Sequence, residues 1–101
     1  MTVKYRGVGI FMKVVITVVG VDRTGIIASV SRIMAEQAIN ILTINQVILD
    51  GIFNMVMIVD TEGAAIGLSE LQTLLKAAGD ELGVEIRAQN QEIFNAMHRI
   101  G

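Results

Sequence analysis

Residues 14–27, VVITVVGVDRTGII, combine an apolar run, a short polar turn and a second apolar run. The first run is rich in β-branched residues, which favours a buried strand. After Gly25, apolar residues recur at helical spacing, which predicts a helix. Asp22, Arg23 and Thr24 lie between the two runs. Because the first N–H groups of a helix are free and carry partial positive charge, this turn could bind a small anionic group.

The composition describes a small and apolar chain. It has 101 residues, which suits one domain, and 52% of them are hydrophobic. The mean hydropathy of +0.61 indicates more apolar surface than so small a domain buries alone, so we expect a second copy to cover part of it. The net charge of −2 gives no general attraction to nucleic acids or membranes. With no cysteine, the chain can form no disulfide or thiolate site, and it suits a reducing cytoplasm.

Apolar periodicity and turn residues divide the rest of the chain into further elements. Asp50-Gly51 lies between two β-rich segments and predicts a hairpin, because a type I′ turn needs positive φ at both central positions. Gly20 is expected to end the first strand. The predicted strands cover residues 12–19, 41–49, 52–59 and 84–89, and the predicted helices cover residues 24–38 or 25–38, 68–82 and 91–100.

The second predicted helix has a buried stripe and signals at both ends. The stripe consists of Leu68, Leu71, Leu74, Leu75, Ala78 and Leu82. Ser69 with Gln72 predicts a capping box, and Gly83 suits the left-handed position that ends a helix. Gly79 lowers helix propensity by up to about 1 kcal/mol relative to alanine, which favours fraying of the last turn.

The order β-α-β-β-α-β is that of the ferredoxin-like sandwich, a split βαβ fold of the α+β class. Right-handed crossovers place both helices on one face of a four-stranded antiparallel sheet with the spatial order 4-1-3-2. A C-terminal helix over residues 91–100 follows the last strand. We expect residues 12–101 to form one domain and residues 1–11 to be an extension of uncertain order.

Both faces of this sheet are expected to be buried. An antiparallel sheet covered on one side alternates apolar and polar residues, and these strands do not. In strand two, alternation places Leu42, Ile44 and Ile48 on one face and Ile41, Val47 and Leu49 on the other. The second face therefore requires the terminal helix, a second subunit or both. Because strand two is also an open sheet edge, we predict a homodimer.

Four polar or small residues near the first helix each allow a functional and a structural interpretation. The Asp22 carboxylate either accepts hydrogen bonds from a ligand ammonium or caps the helix. Gly25 allows a close approach either of backbone to ligand or of helix to sheet. Arg23 either steers an anionic ligand or is a solvated charge. Asn40 either reaches a ligand across a subunit interface or tolerates a left-handed turn.

No catalytic constellation is recognisable in the sequence. His98 is the only histidine, so neither a histidine metal site nor a Ser-His-Asp triad is expected. The phosphate-binding GxxxxGKS/T motif is absent, and no GxGxxG follows a strand. With 4% aromatic residues, the sheet is not suited to RNA binding. We therefore expect no catalytic residue, no cofactor, no metal, no nucleic acid partner and no membrane partner.

Residues 20–27 have the pattern G-x-D-R-x-G-I-I, and a helix and then Asn40-Ile41 at the start of strand two follow it. Together with the strand before them, these residues resemble the first half of an ACT domain. The resemblance extends over about residues 12–89. The tail EIFNAMHRI, residues 92–100, also resembles a family of small bacterial and archaeal proteins that consist of a single ACT domain.

The resemblance implies a fold, a partner and a ligand site. ACT domains share the split βαβ fold, typically dimerise, and bind amino acids at the subunit interface to control enzymes of amino-acid metabolism. The ligand would lie between the first β–α turn of one subunit and the strand-two entry of its neighbour. The implied ligand-binding set is Asp22, Arg23, Thr24, Gly25, Ile26, Asn40 and Ile41, with Gly25 and Ile26 acting through their amides and Asn40 coming from the facing chain. Many ACT domains have Asn in place of Asp22 and Pro in place of Thr24, but the Asp22 carboxylate still suits an ammonium group.

The sequence therefore predicts a non-catalytic, cytoplasmic regulatory protein that senses a small ligand, such as an amino acid, as a homodimer. One alternative is a ligand-free oligomerisation or protein-interaction module that docks a partner enzyme or regulator. Another is an acylphosphatase-like hydrolase, which shares the fold and would use Arg23 and Asn40. This last alternative is the least favoured, because the loop lacks the consecutive glycines and donors of that chemistry.

Overall fold

The computed structural model describes the backbone of residues 12–98 and the side chains within that range, except those of residues 93 and 96–98. Its elements are β1 (Lys13–Val21), α1 (Ile26–Glu36), β2 (Asn40–Leu49), β3 (Ile52–Asp60), α2 (Leu68–Leu82), β4 (Val84–Asn90) and α3 (Gln91–His98). This succession confirms the predicted β-α-β-β-α-β order with a following helix. The predicted extension over residues 1–11 and the predicted helix end at Ile100 lie outside the described residues.

The four strands form one antiparallel sheet with the order β2-β3-β1-β4, as predicted. Asp50 and Gly51 join β2 to β3, and their φ angles of 55° and 81° confirm that both turn positions are left-handed. We call the sheet end that carries this turn the hairpin end. There Val21 pairs with Ile52.

The core lies between the sheet and the helices α1 and α2. α1 buries Ile26, Val30 and Met34, and α2 buries Leu71 and Leu75, all at helical spacing. The strands contribute the residues that alternate on the facing side of the sheet, which are Val14, Ile16, Val18, Phe53, Met55, Met57, Val59, Val84, Ile86 and Ala88. Both helices thus cover the same face, as expected for the ferredoxin-like sandwich.

β1 continues through Gly20, so the prediction that this glycine ends the strand is wrong. Gly20 pairs with Phe53 on one side and with Val84 on the other. A Cβ atom added to Gly20 would lie 2.6 Å from Cγ1 of Val84. A glycine stands here because β1 and β4 approach closely, and it does not break the strand.

β2 contains a bulge that strict alternation does not predict. Its register against β3 shifts between Ile41 and Thr43, which leaves Leu42 as an extra residue. Ile41 and Ile44 therefore lie on the same face, the one covered by the helices. The prediction that they lie on opposite faces of the sheet is wrong. One extra residue in a strand moves every residue that follows it to the other face.

The ends of α2 are formed partly by unexpected residues. Its N-cap is Gly67, so the predicted capping box of Ser69 and Gln72 is wrong. The Gly67 N–H instead donates a 3.4 Å hydrogen bond to the Glu70 carboxylate. The helix ends at Gly83, whose φ of 75° confirms the predicted left-handed position.

Two further residues of α2 differ from expectation. Leu74, part of the predicted buried stripe, is 38% exposed. Gly79 is buried, and a Cβ atom added to it would lie 2.6 Å from the backbone oxygen of Val84. The absence of a side chain at Gly79 therefore allows α2 to pack closely on β4.

The sheet face away from α1 and α2, which we call the outer face, is partly covered. α3 contacts β1 and β4, and Val15 on this face is 2% exposed. Toward the hairpin end, apolar residues of the outer face are between 38% and 66% exposed. This outer-face patch consists of Val19, Val21, Val47, Leu49, Ile52 and Val56. The homodimer that would cover such a surface stays a prediction.

Candidate functional site

The turn of residues 22–25 joins β1 to α1 at the hairpin end of the sheet. The Asp22 N–H donates a 2.9 Å hydrogen bond to the carbonyl oxygen of Gly51 in the hairpin turn. Asp22, Arg23 and Thr24 are all exposed. The hairpin thus holds the start of the turn, while the polar side chains remain accessible to solvent.

Asp22 does not cap α1, so the structural interpretation of this residue is wrong. The N-cap residue of α1 is Gly25, and the helix has no side-chain capping hydrogen bond. Within the described part of the chain, the Asp22 carboxylate takes part in no hydrogen bond or ion pair. A carboxylate in this position can accept an ammonium group, while the uncapped helix amides can bind a carboxylate.

Gly25 provides a special backbone conformation and leaves open space. Its φ of 96° lies in the left-handed region, and no heavy atom beyond its chain neighbours and its own helix backbone lies within 4 Å of an added Cβ. The helix–sheet packing interpretation is therefore wrong, because a side chain here would meet no neighbour in the sheet. The side chain of the next residue, Ile26, belongs to the core. Only the backbone N–H of Ile26 is therefore available to a ligand.

Arg23 has a partner that neither interpretation of the sequence anticipated. Its Nη1 atom donates a 2.7 Å hydrogen bond to the carbonyl oxygen of Leu82, at the C-terminus of α2. The same nitrogen lies 3.6 Å from a Cβ atom built on Gly83. The guanidinium thus connects the turn to the junction between α2 and β4.

Asn40 lies at the opposite end of the sheet from the turn. It is the exposed first residue of β2 and pairs with Asp60, whereas Leu49 at the other end of β2 pairs with Ile52. At about 3.3 Å per residue, the length of β2 separates Asn40 from the hairpin end by roughly 30 Å. One chain therefore brings neither Asn40 nor the half-buried Ile41 to the turn.

The acylphosphatase-like alternative would need Arg23 and Asn40 around one substrate. Within one chain the structure places them at opposite ends of the sheet, and Arg23 is hydrogen-bonded to Leu82. Among the described side chains, no group of three or more His, Cys, Asp or Glu is positioned to hold a metal ion. Within residues 12–98, no helix is both long and apolar enough to cross a membrane.

A groove of about 670 Å³ between α2 and β4 was not anticipated from the sequence. On α2 it is lined by Lys76 and Asp80, which form an ion pair at 3.6 Å, and on β4 by Glu85 and Arg87, which form one at 2.7 Å. These pairs are exposed, so each contributes little to stability. Gly79, one of the lining residues, was the available signal, since a glycine inside a helical pattern often has a packing or functional reason.

Comparison with known proteins identifies close relatives over most of the chain. Residues 12–89 match the ACT domain family. A UPF0237 protein of Methanocaldococcus jannaschii is 47% identical over 88 residues, covering 87% of this chain and 98% of that protein. A UPF0237 protein of Clostridium acetobutylicum is 45% identical over 89 residues, covering 88% of this chain and 100% of that protein. The solved structure of an ACT domain protein from Streptococcus pneumoniae is 40% identical, has a TM-score of 0.72, and is matched over 86% of this chain and 98% of that chain.

The similarity includes the fold as well as the sequence. The matched residues contain β1, β2, β3, both long helices and all but the last residue of β4. The sheet order and the placement of both helices on one face are those of the ferredoxin-like ACT fold. The chain therefore belongs to the ACT domain family.

Proposed function

We propose that this chain is a non-catalytic, cytoplasmic regulatory protein that binds a small ligand, such as an amino acid, between two copies of itself. The observation that carries the proposal is the Asp22 carboxylate, without a partner among the described residues, beside the uncapped N-terminus of α1. An amino acid has both complementary groups, an ammonium for the carboxylate and a carboxylate for the helix amides. Occupancy of this site would then control a partner enzyme or regulator.

A second copy of the chain would complete the site by supplying Asn40. β2 is an edge strand, and all of its residues from 42 to 49 are exposed. Antiparallel pairing of two such edges around a two-fold axis at the middle of β2 would place Asn40 of the second copy opposite Leu49. Asn40 of the second copy would then lie at the hairpin end, which also carries Asp22.

Calorimetric titration of the protein with each proteinogenic amino acid tests the ligand. We expect heat of binding and a higher melting temperature with at least one amino acid at millimolar concentration. Absence of both effects with every amino acid would sink the proposal.

Substitution of Asp22 tests the ammonium partner. In Asp22→Asn the affinity for the bound amino acid should fall by roughly tenfold to a hundredfold, because a charge-assisted hydrogen bond is lost. Asp50→Asn is the matched control, since it removes the same charge at the same sheet end and Asn tolerates the φ of 55° there. Equal affinity losses in the two variants would point to a general charge effect and contradict a direct contact with Asp22.

Mixing two defective variants tests whether the site spans two chains. Asp22→Asn and Asn40→Ala each damage every site in their own homodimers. A mixed dimer contains one intact site, formed by Asp22 of one chain and Asn40 of the other. Random exchange of subunits should therefore restore binding in about a quarter of all sites. If both residues served a site within one chain, mixing would restore nothing.

The outer-face patch favours a second candidate function, a protein-interaction module that binds no small ligand. Contiguous exposed apolar residues commonly mark a protein–protein contact, and this patch extends across β1, β3 and β2. In this case the sheet face docks a partner protein or a second copy, and the turn stays empty. A stable dimer that gives no heat with any amino acid would favour this candidate.

A further inference from the structure

The side chain of Arg23 connects the turn of residues 22–25 to a distant helix end. Its Nη1 atom donates a 2.7 Å hydrogen bond to the carbonyl oxygen of Leu82, the last residue of α2. The last carbonyl groups of a helix have no partner within the helix, and the partial negative charge there favours a cation. α2 has no basic residue in its own last turn, so Arg23 supplies this positive charge from outside the helix.

Two close contacts around Val84 hold the same corner of the molecule together. A Cβ atom added to Gly20 in β1 would lie 2.6 Å from Cγ1 of Val84, and one added to Gly79 in α2 would lie 2.6 Å from the Val84 oxygen. The end of β1, the start of β4 and the last turn of α2 therefore meet at Val84. Because β1 leads directly into the turn, this corner lies next to the residues that Arg23 connects to α2.

Few other contacts fix the conformation of the turn. Residues 21–24 are exposed, so burial does not hold them in place. The 2.9 Å hydrogen bond from the Asp22 N–H to the Gly51 oxygen anchors the turn to the hairpin. The bond from Arg23 to Leu82 anchors it to α2 on the other side.

We infer that Arg23 is a positioning residue whose hydrogen bond to the end of α2 holds the turn in the geometry that receives the ligand. The part of this inference that concerns the ligand rests on the proposed function. Coupling between two positions is reciprocal, so a ligand that orders the turn also stabilises the last turn of α2. Loosening the end of α2 in turn weakens ligand binding.

Amide hydrogen exchange of the ligand-free protein tests the connection without any ligand. The Gly83 N–H bonds to the Gly79 oxygen at the end of α2, and the Asp22 N–H bonds to the Gly51 oxygen in the turn. We expect Arg23→Gln to speed exchange of both amides by about twofold to fivefold, the effect of removing a cation from an exposed helix C-terminus. Arg23→Lys keeps the charge and should restore part of the protection.

Arg32→Gln is the matched control, because Arg32 is an exposed arginine on α1. It should leave exchange at Gly83 and Asp22 unchanged. Unchanged exchange in Arg23→Gln, or equal changes in the two glutamine variants, would overturn the inference.

A second measurement adds a mixture of the proteinogenic amino acids at millimolar concentration. In the wild-type protein the mixture should slow exchange of the Gly83 amide. In Arg23→Gln the affinity for the bound amino acid should be at least about threefold lower, and the mixture should no longer protect Gly83. Protection of Gly83 that persists in Arg23→Gln would overturn the coupling. If the mixture leaves exchange at Gly83 unchanged in the wild-type protein but gives heat of binding, the coupling is overturned. If it gives neither protection nor heat, the proposed function fails, while the ligand-free measurement still decides whether Arg23 positions the turn.

Discussion

Gly25 is the N-cap residue of α1, and Gly67 is the N-cap residue of α2. They differ in backbone conformation, with a φ of 96° at Gly25 and of −85° at Gly67. Apart from the adjacent residues of the same chain, no heavy atom would lie within 4 Å of a Cβ atom added at either position. The pair therefore separates the energetic effect of a left-handed backbone from the effects of packing.

We expect Gly25→Ala to lower the free energy of unfolding by about 1–2 kcal/mol more than Gly67→Ala does. The excess is the strain of an L-residue in the left-handed region, whereas the poorer capping by alanine is common to both variants. Urea unfolding followed by circular dichroism measures the difference. Equal stability of the two variants would indicate that the turn relaxes out of the left-handed region without cost.

At the scale of elements, α2 and β4 form a close contact at a sheet edge. Gly79 packs on the Val84 oxygen, and Gln72 Nε2 donates a 2.8 Å hydrogen bond to the oxygen of Ala88. The Ala88 oxygen thus accepts a hydrogen bond from α2 as well as belonging to the edge strand β4. α2 therefore occupies one backbone acceptor of an edge strand, which limits its pairing with another chain at that position.

Helix propensity and packing predict opposite signs for Gly79→Ala. Propensity alone would stabilise α2 by about 1 kcal/mol. The added Cβ would lie 2.6 Å from a backbone oxygen that cannot rotate away, so we expect a net loss of about 1–3 kcal/mol. Thermal unfolding measures the sign directly.

Ala77→Gly is the control for Gly79→Ala, because Ala77 is exposed on the same helix. It should cost about 1 kcal/mol through propensity alone. A melting temperature of Gly79→Ala above that of the wild-type protein would contradict the close approach of α2 to β4.

For the whole molecule, the two edges of the sheet differ in accessibility. At the β4 edge, Gly79 and Gln72 of α2 contact the backbone of the strand, whereas the β2 residues from 42 to 49 are exposed. A sheet with one open edge is closed after pairing with one other copy, whereas two open edges allow continued addition of molecules. We therefore expect the chain to associate through β2 and to form dimers rather than fibres.

We expect Val47→Lys on β2 to weaken self-association by at least about tenfold, because an apolar contact is replaced by a buried charge. Val47 is 50% exposed in the single chain. Sedimentation velocity over a concentration series measures the change. Leu74→Lys is the control, since Leu74 is 38% exposed on α2, away from the β2 edge. Identical sedimentation of Val47→Lys and the wild-type protein at all concentrations would exclude β2 as the interface.

The sequence by itself determined the order of elements, the hairpin at Asp50-Gly51, the end of α2 at Gly83 and the position of the candidate turn. These features depend on residues that are close together in the chain. β-branched runs, helical spacing and left-handed turn residues act within a few positions, so a local pattern is enough to predict them.

Only the tertiary structure decided how distant parts of the chain meet. It showed that Gly20 continues β1 because Val84 lies against it, and that Arg23 binds Leu82, which is 59 residues away. It also showed that Asp22 caps no helix and that Asn40 lies at the opposite end of the sheet. The physical reason is the same in each case. These positions depend on strand register and on packing between residues that are far apart in sequence, and local apolar and polar patterns do not encode either.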